Sequence, residues 1–425
     1  MLGVTRKIFK QEFGQIWREA KMRNFKNIMA VFAATTVLAL PVNAPAQVQA
    51  QMSASALPTI NAPSEGPIST FIPQSQTSKT RLDYGVLNDA LYYSVLPLGP
   101  STRRRMGRVE AQTGTRSLTG HRSPYRLEGS RISFSLLNDD YKGALKDYQK
   151  DLERIGSEVD LTRMSRNEQL AYWFNLHNVT MIAKIVEEYP VRRPSKLKVN
   201  GVPLDEAKIL TVKNVPLSLK DIRERIVYPN WKNPNVIYGF FRGDIGSPGI
   251  LDSAFTGQNL NSGLKTSATE FVNSLRGVHE ISNARKVSRI YQEAAPYYFP
   301  NFEADLERHL LVYAREDVRP EIVAPKPMAI DKYDDVVADL VGGSRPSIAR
   351  GTVRDADGDV IPISYELAQL MREFEQKRTV LKRRGLIQSG GTVIIEDIDT
   401  SSSQVYDPNV DPESSAVTTR PTTGL

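Results

Sequence analysis

The stretch Ser165 to Ile182, SRNEQLAYWFNLHNVTMI, constrains this chain most, because it has the periodicity of a helix and no face that suits water. Ser165 and Glu168 form the S-x-x-E pattern in which the serine hydroxyl accepts a first-turn N–H and the glutamate reaches back to the cap. At about 100° per residue, Ala171, Tyr172, Val179 and Ile182 fall on the side of Glu168, Asn175 and Asn178, while Trp173, Phe174, Met181 and Ile185 cover the rest. A helix that is apolar all round is a buried one, so Asn175 and Asn178 are expected inside, where an unpaired amide costs about 1–3 kcal/mol. Either they pin neighbouring loop backbone, or they line a ligand or catalytic pocket. His177 is expected opposite the asparagines as a hydrogen-bonded core histidine, and the capping box is enough to explain Glu168.

The chain begins with a basic amphipathic segment, and after Met22, a possible true start, comes RNFKNIMAVFAATTVLALPVNAPAQVQAQ. Arg23 and Lys26, the apolar run Met29 to Leu40 and the small-residue pattern Ala44-Pro45-Ala46 or Val48-Gln49-Ala50 have the layout of an export signal, expected over residues 1–46. The apolar run of about a dozen residues is shorter than the ~20 that span a bilayer, so cleavage is expected and no stable transmembrane anchor. This places the mature protein in the periplasm or outside the cell. The leader also holds seven Lys or Arg against Glu12 and Glu19, which leaves +2 of the formal +7 for everything else. Nucleic-acid binding therefore loses its electrostatic support. With no cysteine in the chain, disulfides, zinc–thiolate sites and thiol nucleophiles are excluded.

The fold class expected is α+β: a mostly helical main domain with a small sheet over residues 81–318, a small C-terminal α/β region over 319–400 and a disordered tail over 401–425. Residues 47–80, rich in Pro, Ser, Thr and Gln, are expected to be a disordered spacer. Helices are expected at Asp83 to Leu96, Asp139 to Ile155, Ser218 to Ile226, Ser267 to Leu275, Lys286 to Ala294 and Glu303 to Ala314. Strands are expected at Ile132 to Leu137, Lys196 to Val202 and Val236 to Phe241. Beyond a Pro-rich boundary at VRPEIVAPKP come a helix near Tyr333 to Leu340, a hairpin in GTVRDADGDVIPI, a charged helix from Ser364 to Arg384 and a strand at Thr392 to Ile398. Arg103 to Arg131 carries eight arginines against Glu110 and Glu128, a solvated loop that could touch an acidic envelope polymer through Arg103, Arg104 and Arg105.

Little in the chain names a reaction. Asp355, Asp357 and Asp359 alternate as in a calcium loop, but Val360 and Pro362 occupy positions such a loop needs otherwise, and an Asp-Gly turn explains the same residues. His121, His177, His279 and His309 have no metal-ligand spacing, so no metal is assigned. The absence of a P-loop, G-x-G-x-x-G or G-x-S-x-G pattern leaves no cofactor to assign. Gly246-Ser247-Pro248-Gly249 puts a hydroxyl on a tight turn after an expected strand, a place where backbone N–H groups can converge.

The order LNDDYKGALKDYQKDL, LTRMSRNEQLAYWFNLHN, LSLKDIRERI, VIYGFFRGDIGSPGIL, EFVNSL, VSRIYQEAAPYYFPNFEADL resembles the family called domain of unknown function 547, over about residues 130–315. Its A-F-W-I-N-L-Y/H-N-A block resembles Ala171 to Val179. A second block, about H-F-A-L-N-C-G-x-x-S-C-P, falls on Ile237 to Pro248, and there this chain departs: Arg242 and Ser247 stand for the family cysteines, Ile237 and Phe241 for its His and Asn. If relatives pair a thiolate with a histidine, this member cannot, since an unassisted serine keeps its proton. The resemblance therefore implies a catalytically degenerate domain, a binding or structural module with Asn175, Asn178 and Arg242 as its binding residues. The alternative is a hydrolase or transferase with Ser247 as nucleophile and Glu168 and His177 as its helpers.

Overall fold

A computed structural model describes residues 66–105, 107, 121–137, 139–346, 350–354 and 360–387. The expected leader, most of the spacer, the DADGD turn, the strand at Thr392 to Ile398 and the tail lie outside the described residues.

The central helix runs Arg166–Glu187, five residues past Ile182, and nearly all of it from Glu168 to Val186 is buried. Ser165 Oγ caps it by accepting from Glu168 N at 3.2 Å. The expected return bond from the Glu168 carboxylate is not made; that side chain turns instead toward the backbone amides of Leu82 and Gly257. Helix Asp139–Glu158 lies against it, tied by Tyr172 Oη donating to Leu152 O at 3.0 Å. On the other side Phe174 meets Phe240 and Phe255 with ring centroids 4.8 and 4.9 Å apart. Aromatic rings at this spacing and burial supply a large share of a core's apolar area.

The chain is α+β. Among the described residues its strands form four two-stranded sheets and one three-stranded sheet. Helix Gly85–Ser94 gives way to strand Val95–Pro97, which pairs antiparallel with Ser130–Ile132. The helix expected through Leu96 therefore stops earlier, and of the strand expected at Ile132 to Leu137 just Ile132 is extended, with Phe134–Leu136 a 3-10 turn. Val278–Ile281 and Ala284–Val287 form a hairpin, to which Met328–Ile330 adds in parallel. The Pro-rich stretch after Val318 thus leads into this sheet. The described residues up to Ile387 form one compact unit.

Two further expectations fail. Val236 to Phe241 is not a strand: Pro234–Gly239 is a 3-10 helix, started by Pro234 at its first position and by Asn233 Oδ1 accepting from Asn235 N at 3.0 Å. The run is buried at every position, and an unbroken apolar run does not distinguish strand from buried helical turn. Nor is Tyr333 to Leu340 helical. It is an extended strap: Ile245 N donates to Val336 O and Gly246 N to Asp334 O, both at 2.8 Å, and Ala338 N donates to Gly243 O at 2.9 Å. Asp334 Oδ1 accepts from Val336 N at 3.2 Å, the local side-chain bond that competes with helix.

After the hairpin Arg350–Arg354/Val360–Ser364, helix Tyr365–Arg383 is capped by Ser364. Its Leu367, Leu370, Met371 and Phe374 form a second core with Leu96, Leu98 and Leu127. The Arg126–Glu373 pair at 2.5 Å and Lys377 Nζ donating to Leu127 O at 2.5 Å fix the same contact. No helix among the described residues is long and apolar enough to cross a membrane.

Candidate functional site

The central helix presents its asparagines to two loops. Asn175 Nδ2 donates to Phe255 O at 2.7 Å and its Oδ1 accepts from Phe255 N at 3.1 Å. Asn178 does the same across two residues, with Nδ2 to Gly239 O at 2.9 Å and Oδ1 from Phe241 N at 3.0 Å. Each amide thereby satisfies one buried donor and one buried acceptor of backbone. Asn178 holds the end of the 3-10 helix where Phe241 and Arg242 follow, so the central helix sets the position of the second block.

His177 does not face away from the asparagines. Its Nδ1 lies 3.1 Å from Asn178 Oδ1, and its Nε2 lies 3.1 Å from Arg223 Nη1. A guanidinium is a donor alone, so Nε2 accepts and Nδ1–H donates. Burial, then the charge of Arg223, push the imidazole down to about 3. A neutral ring with both nitrogens engaged has no free lone pair to serve as a base.

Arg223 lies in a π-helical segment, Ile222–Val227, that follows the Ser218–Asp221 capping box; such segments are frequent at functional sites. Its two terminal nitrogens bind both oxygens of Asp205 at 2.7 Å, and Nε lies 3.5 Å from Glu293 Oε1. Glu293, on helix Arg289–Tyr298, takes the other fork: Arg242 Nη1 and Nη2 donate to its two oxygens at 2.5 and 2.6 Å. Asp205, Arg223, Glu293 and Arg242 thus alternate in sign and sum to zero. Burial raises Glu293, but Arg242 outweighs it and holds the carboxyl down at about 2. Asp205 is likewise raised by burial and brought below the usual range by Arg223, and Glu293 keeps Arg242 protonated against its own burial.

Ser247 is fully buried. Its Oγ donates to Asp244 O at 2.8 Å, lies 3.3 Å from Pro248 O, and accepts from Arg242 N at 3.3 Å. All three partners are backbone groups. Its own N–H donates to Asp244 Oδ1 at 3.0 Å, the oxygen that also accepts from Tyr333 Oη at 2.7 Å. Burial raises Asp244 to about 7 against the pull of Tyr333 and Arg242. Above the turn lies the strap, so close that a Cβ on Gly246 would stand 2.8 Å from Asp334 O.

The structure therefore joins Asn178, His177 and Arg242 through Arg223 and Glu293, with Ser247 touching this group by the Arg242 backbone alone. Glu168 and Asn175 stand apart toward Gly257 and Phe255; burial raises Glu168 above the usual carboxylate range, and its Oε2 has no hydrogen-bond partner. Arg103 is an internal brace, with Nη1 donating to Ser274 O and Val278 O and Nη2 to Glu321. Arg104 is exposed, and Arg105 lies 5.6 Å over the Tyr125 ring.

Asp205, Arg223 and Glu293 are the functional-site residues that the sequence reading missed. Charges on short amphipathic helices look like solvated faces. One signal was present: a guanidinium at Arg242, where the second block otherwise carries a small thiol, demands a buried carboxylate. Among the described residues no group of three or more His, Asp or Glu is placed to hold a metal ion.

Comparison with known proteins bears on the same segment. Residues 161–272 match the family described as Protein of unknown function, DUF547. The match takes in the central helix, the π-helical segment, the second block and helix Leu260–Val272. Glu293, which completes the charge chain, and the strap both lie beyond it. No curated protein and no solved structure matches the chain.

Proposed function

We propose that this protein is an exported, non-catalytic binding or structural module of the cell envelope, built on a DUF547 domain. The observation that carries this reading is the environment of Ser247: its hydroxyl is sealed from solvent and its hydrogen bonds go to backbone. A serine without a base within hydrogen-bond reach keeps its proton and attacks nothing. Where an acid–base partner would be sought, His177 is held neutral by burial and by Arg223, and the space beside Arg242 is filled by a compensated ion-pair chain. With Arg103 spent on internal bonds, an acidic-polymer contact falls to Arg104 and Arg105.

The test is an assay of the purified mature chain against a panel of ester, amide, phosphoester and glycoside substrates, beside Ser247→Ala. No turnover by either protein is expected. Turnover by the wild type that vanishes in a folded Ser247→Ala protein overturns the reading in favour of a hydrolase or transferase. Cell fractionation with N-terminal sequencing of the mature protein tests the export step, which predicts a new terminus close to Ala46.

A further inference from the structure

We infer that the cleft between residues 121–125, the Arg192–Arg193 turn and the strap binds a small oxyanion ligand, one bearing phosphate or several carboxylates. The cleft encloses about 760 Å³, within the range of small-molecule sites. Its charged groups divide into two sets. The acids are engaged: Asp334 accepts from Ser123 Oγ, Asp335 from Ser195 Oγ at 3.0 Å with Arg193 at 3.3 Å, Asp331 from Tyr125 Oη at 3.3 Å, and Glu366, the fourth, also has a partner. Three of the cations are not. Arg122, Arg192 and Lys332 line the cleft, are exposed, and make no side-chain hydrogen bond or ion pair with any described residue.

Arg105 adds a fourth positive charge at the wall, set over the ring of Tyr125. Five cations (Arg105, Arg122, Arg192, Arg193, Lys332) line the cleft against four carboxylates (Asp331, Asp334, Asp335, Glu366), a formal excess of one positive charge, and the three cations without a side-chain hydrogen bond or ion pair are the ones left to meet an anion. The floor is stiff: Tyr333 is fixed by its bond to Asp244 and by Arg289 stacked 4.2 Å over its ring. A fixed floor with exposed, unpaired cations suits a ligand with two or more anionic groups, each taken by a charge-assisted hydrogen bond.

This inference rests on the reading of the protein as a binding module and supplies the ligand chemistry that reading leaves open. It is tested by calorimetric titration of the mature chain with inorganic pyrophosphate and, separately, with citrate. Saturable binding of at least one is expected, weakening at about 0.5 M salt, where surface charges are screened within a few ångströms. Stronger binding of pyrophosphate assigns phosphate, and stronger binding of citrate assigns carboxylate. The triple variant Arg122→Ser, Arg192→Ser, Lys332→Ser should bind about a hundredfold more weakly, while Lys265→Ser, outside the cleft, binds as the wild type does. All four positions are exposed, so the fold is not at stake. Binding of neither probe by the wild type overturns the inference, as does a triple variant that binds unchanged, or binding confined to a long polyanion. None of these results touches the Ser247 assay, and turnover lost in Ser247→Ala would leave the anion titration standing.

Discussion

Arg223 Nη1 donates to His177 Nε2 at 3.1 Å while the same guanidinium grips Asp205 through two bonds of 2.7 Å. One buried cation thereby decides the tautomer of the imidazole, suppresses its protonation and anchors a carboxylate that reaches the surface. The consequence for chemistry is negative: the histidine on the central helix is a hydrogen-bond acceptor for a permanent cation.

Replacing Arg223 by Met keeps volume but removes the cation from between two carboxylates and an imidazole. Removing one partner of a buried ion pair costs about 3–5 kcal/mol. Here Asp205 is partly solvated and Glu293 retains Arg242, so the lower end, about 3 kcal/mol, is expected from the shift in urea midpoint at pH 7.

Asp244→Asn tests the buried carboxyl beneath Tyr333. An asparagine Oδ1 can still accept from Tyr333 Oη and Ser247 N, as Asp244 Oδ1 does. Burial raises the folded carboxyl to about 7 from its ordinary value of 3.8. Between those pH values the folded state binds the extra proton, so the stability this group contributes is present at low pH and is lost as pH rises toward 7. Relative to wild type, Asp244→Asn should gain stability from pH 4 to pH 7 and level off above. Urea midpoints of both proteins at pH 4, 6 and 8 measure it, and a flat difference would show that the group titrates normally.

Asn175→Ala leaves Phe255 N and O without partners, two buried groups at about 1–3 kcal/mol each. A loss of about 2–4 kcal/mol is expected, and a similar one for Asn178→Ala, which also frees His177 Nδ1. A change below 1 kcal/mol in either would mean that water replaces the amide.

Gly156→Ala sets two effects against each other in helix Asp139–Glu158. Alanine gains about 1 kcal/mol of helix propensity. The new Cβ, however, would meet the Tyr172 hydroxyl and the Val212 side chain far inside normal contact. Overpacking costs about 1–3 kcal/mol, and displacing Tyr172 also gives up its bond to Leu152 O, about another 1 kcal/mol. The variant is therefore expected to be less stable, with a lower melting temperature than the wild type.

Much of the local structure was legible because its causes are local. Ser165, Ser218 and Ser364 each mark the start of a helical segment by accepting a first-turn N–H, and each does so in the structure. The failures arose where backbone partners lie far away in the chain. Val336 and Val337 look helical by spacing, yet the strap that holds them exchanges hydrogen bonds with Gly243, Ile245 and Gly246, about ninety residues earlier. Ser247 looked like a candidate nucleophile because a Gly-Ser-Pro-Gly turn is a plausible elbow in any sequence, and just the strap above it and the backbone partners of Oγ show it closed.

From the sequence alone it follows that the chain holds a buried helix with two asparagines needing partners, lacks any thiol, and carries a guanidinium where the second block otherwise carries a small side chain. Periodicity, capping and composition act over a few residues, so they can be read in one dimension. What only the tertiary structure decided is which carboxylates answer Arg242 and Arg223, which nitrogen of His177 carries the proton, and which arginines remain free. Those depend on Asp205, Arg223, Arg242 and Glu293 converging from separate segments, and compensation of buried charge is a property of distance in space.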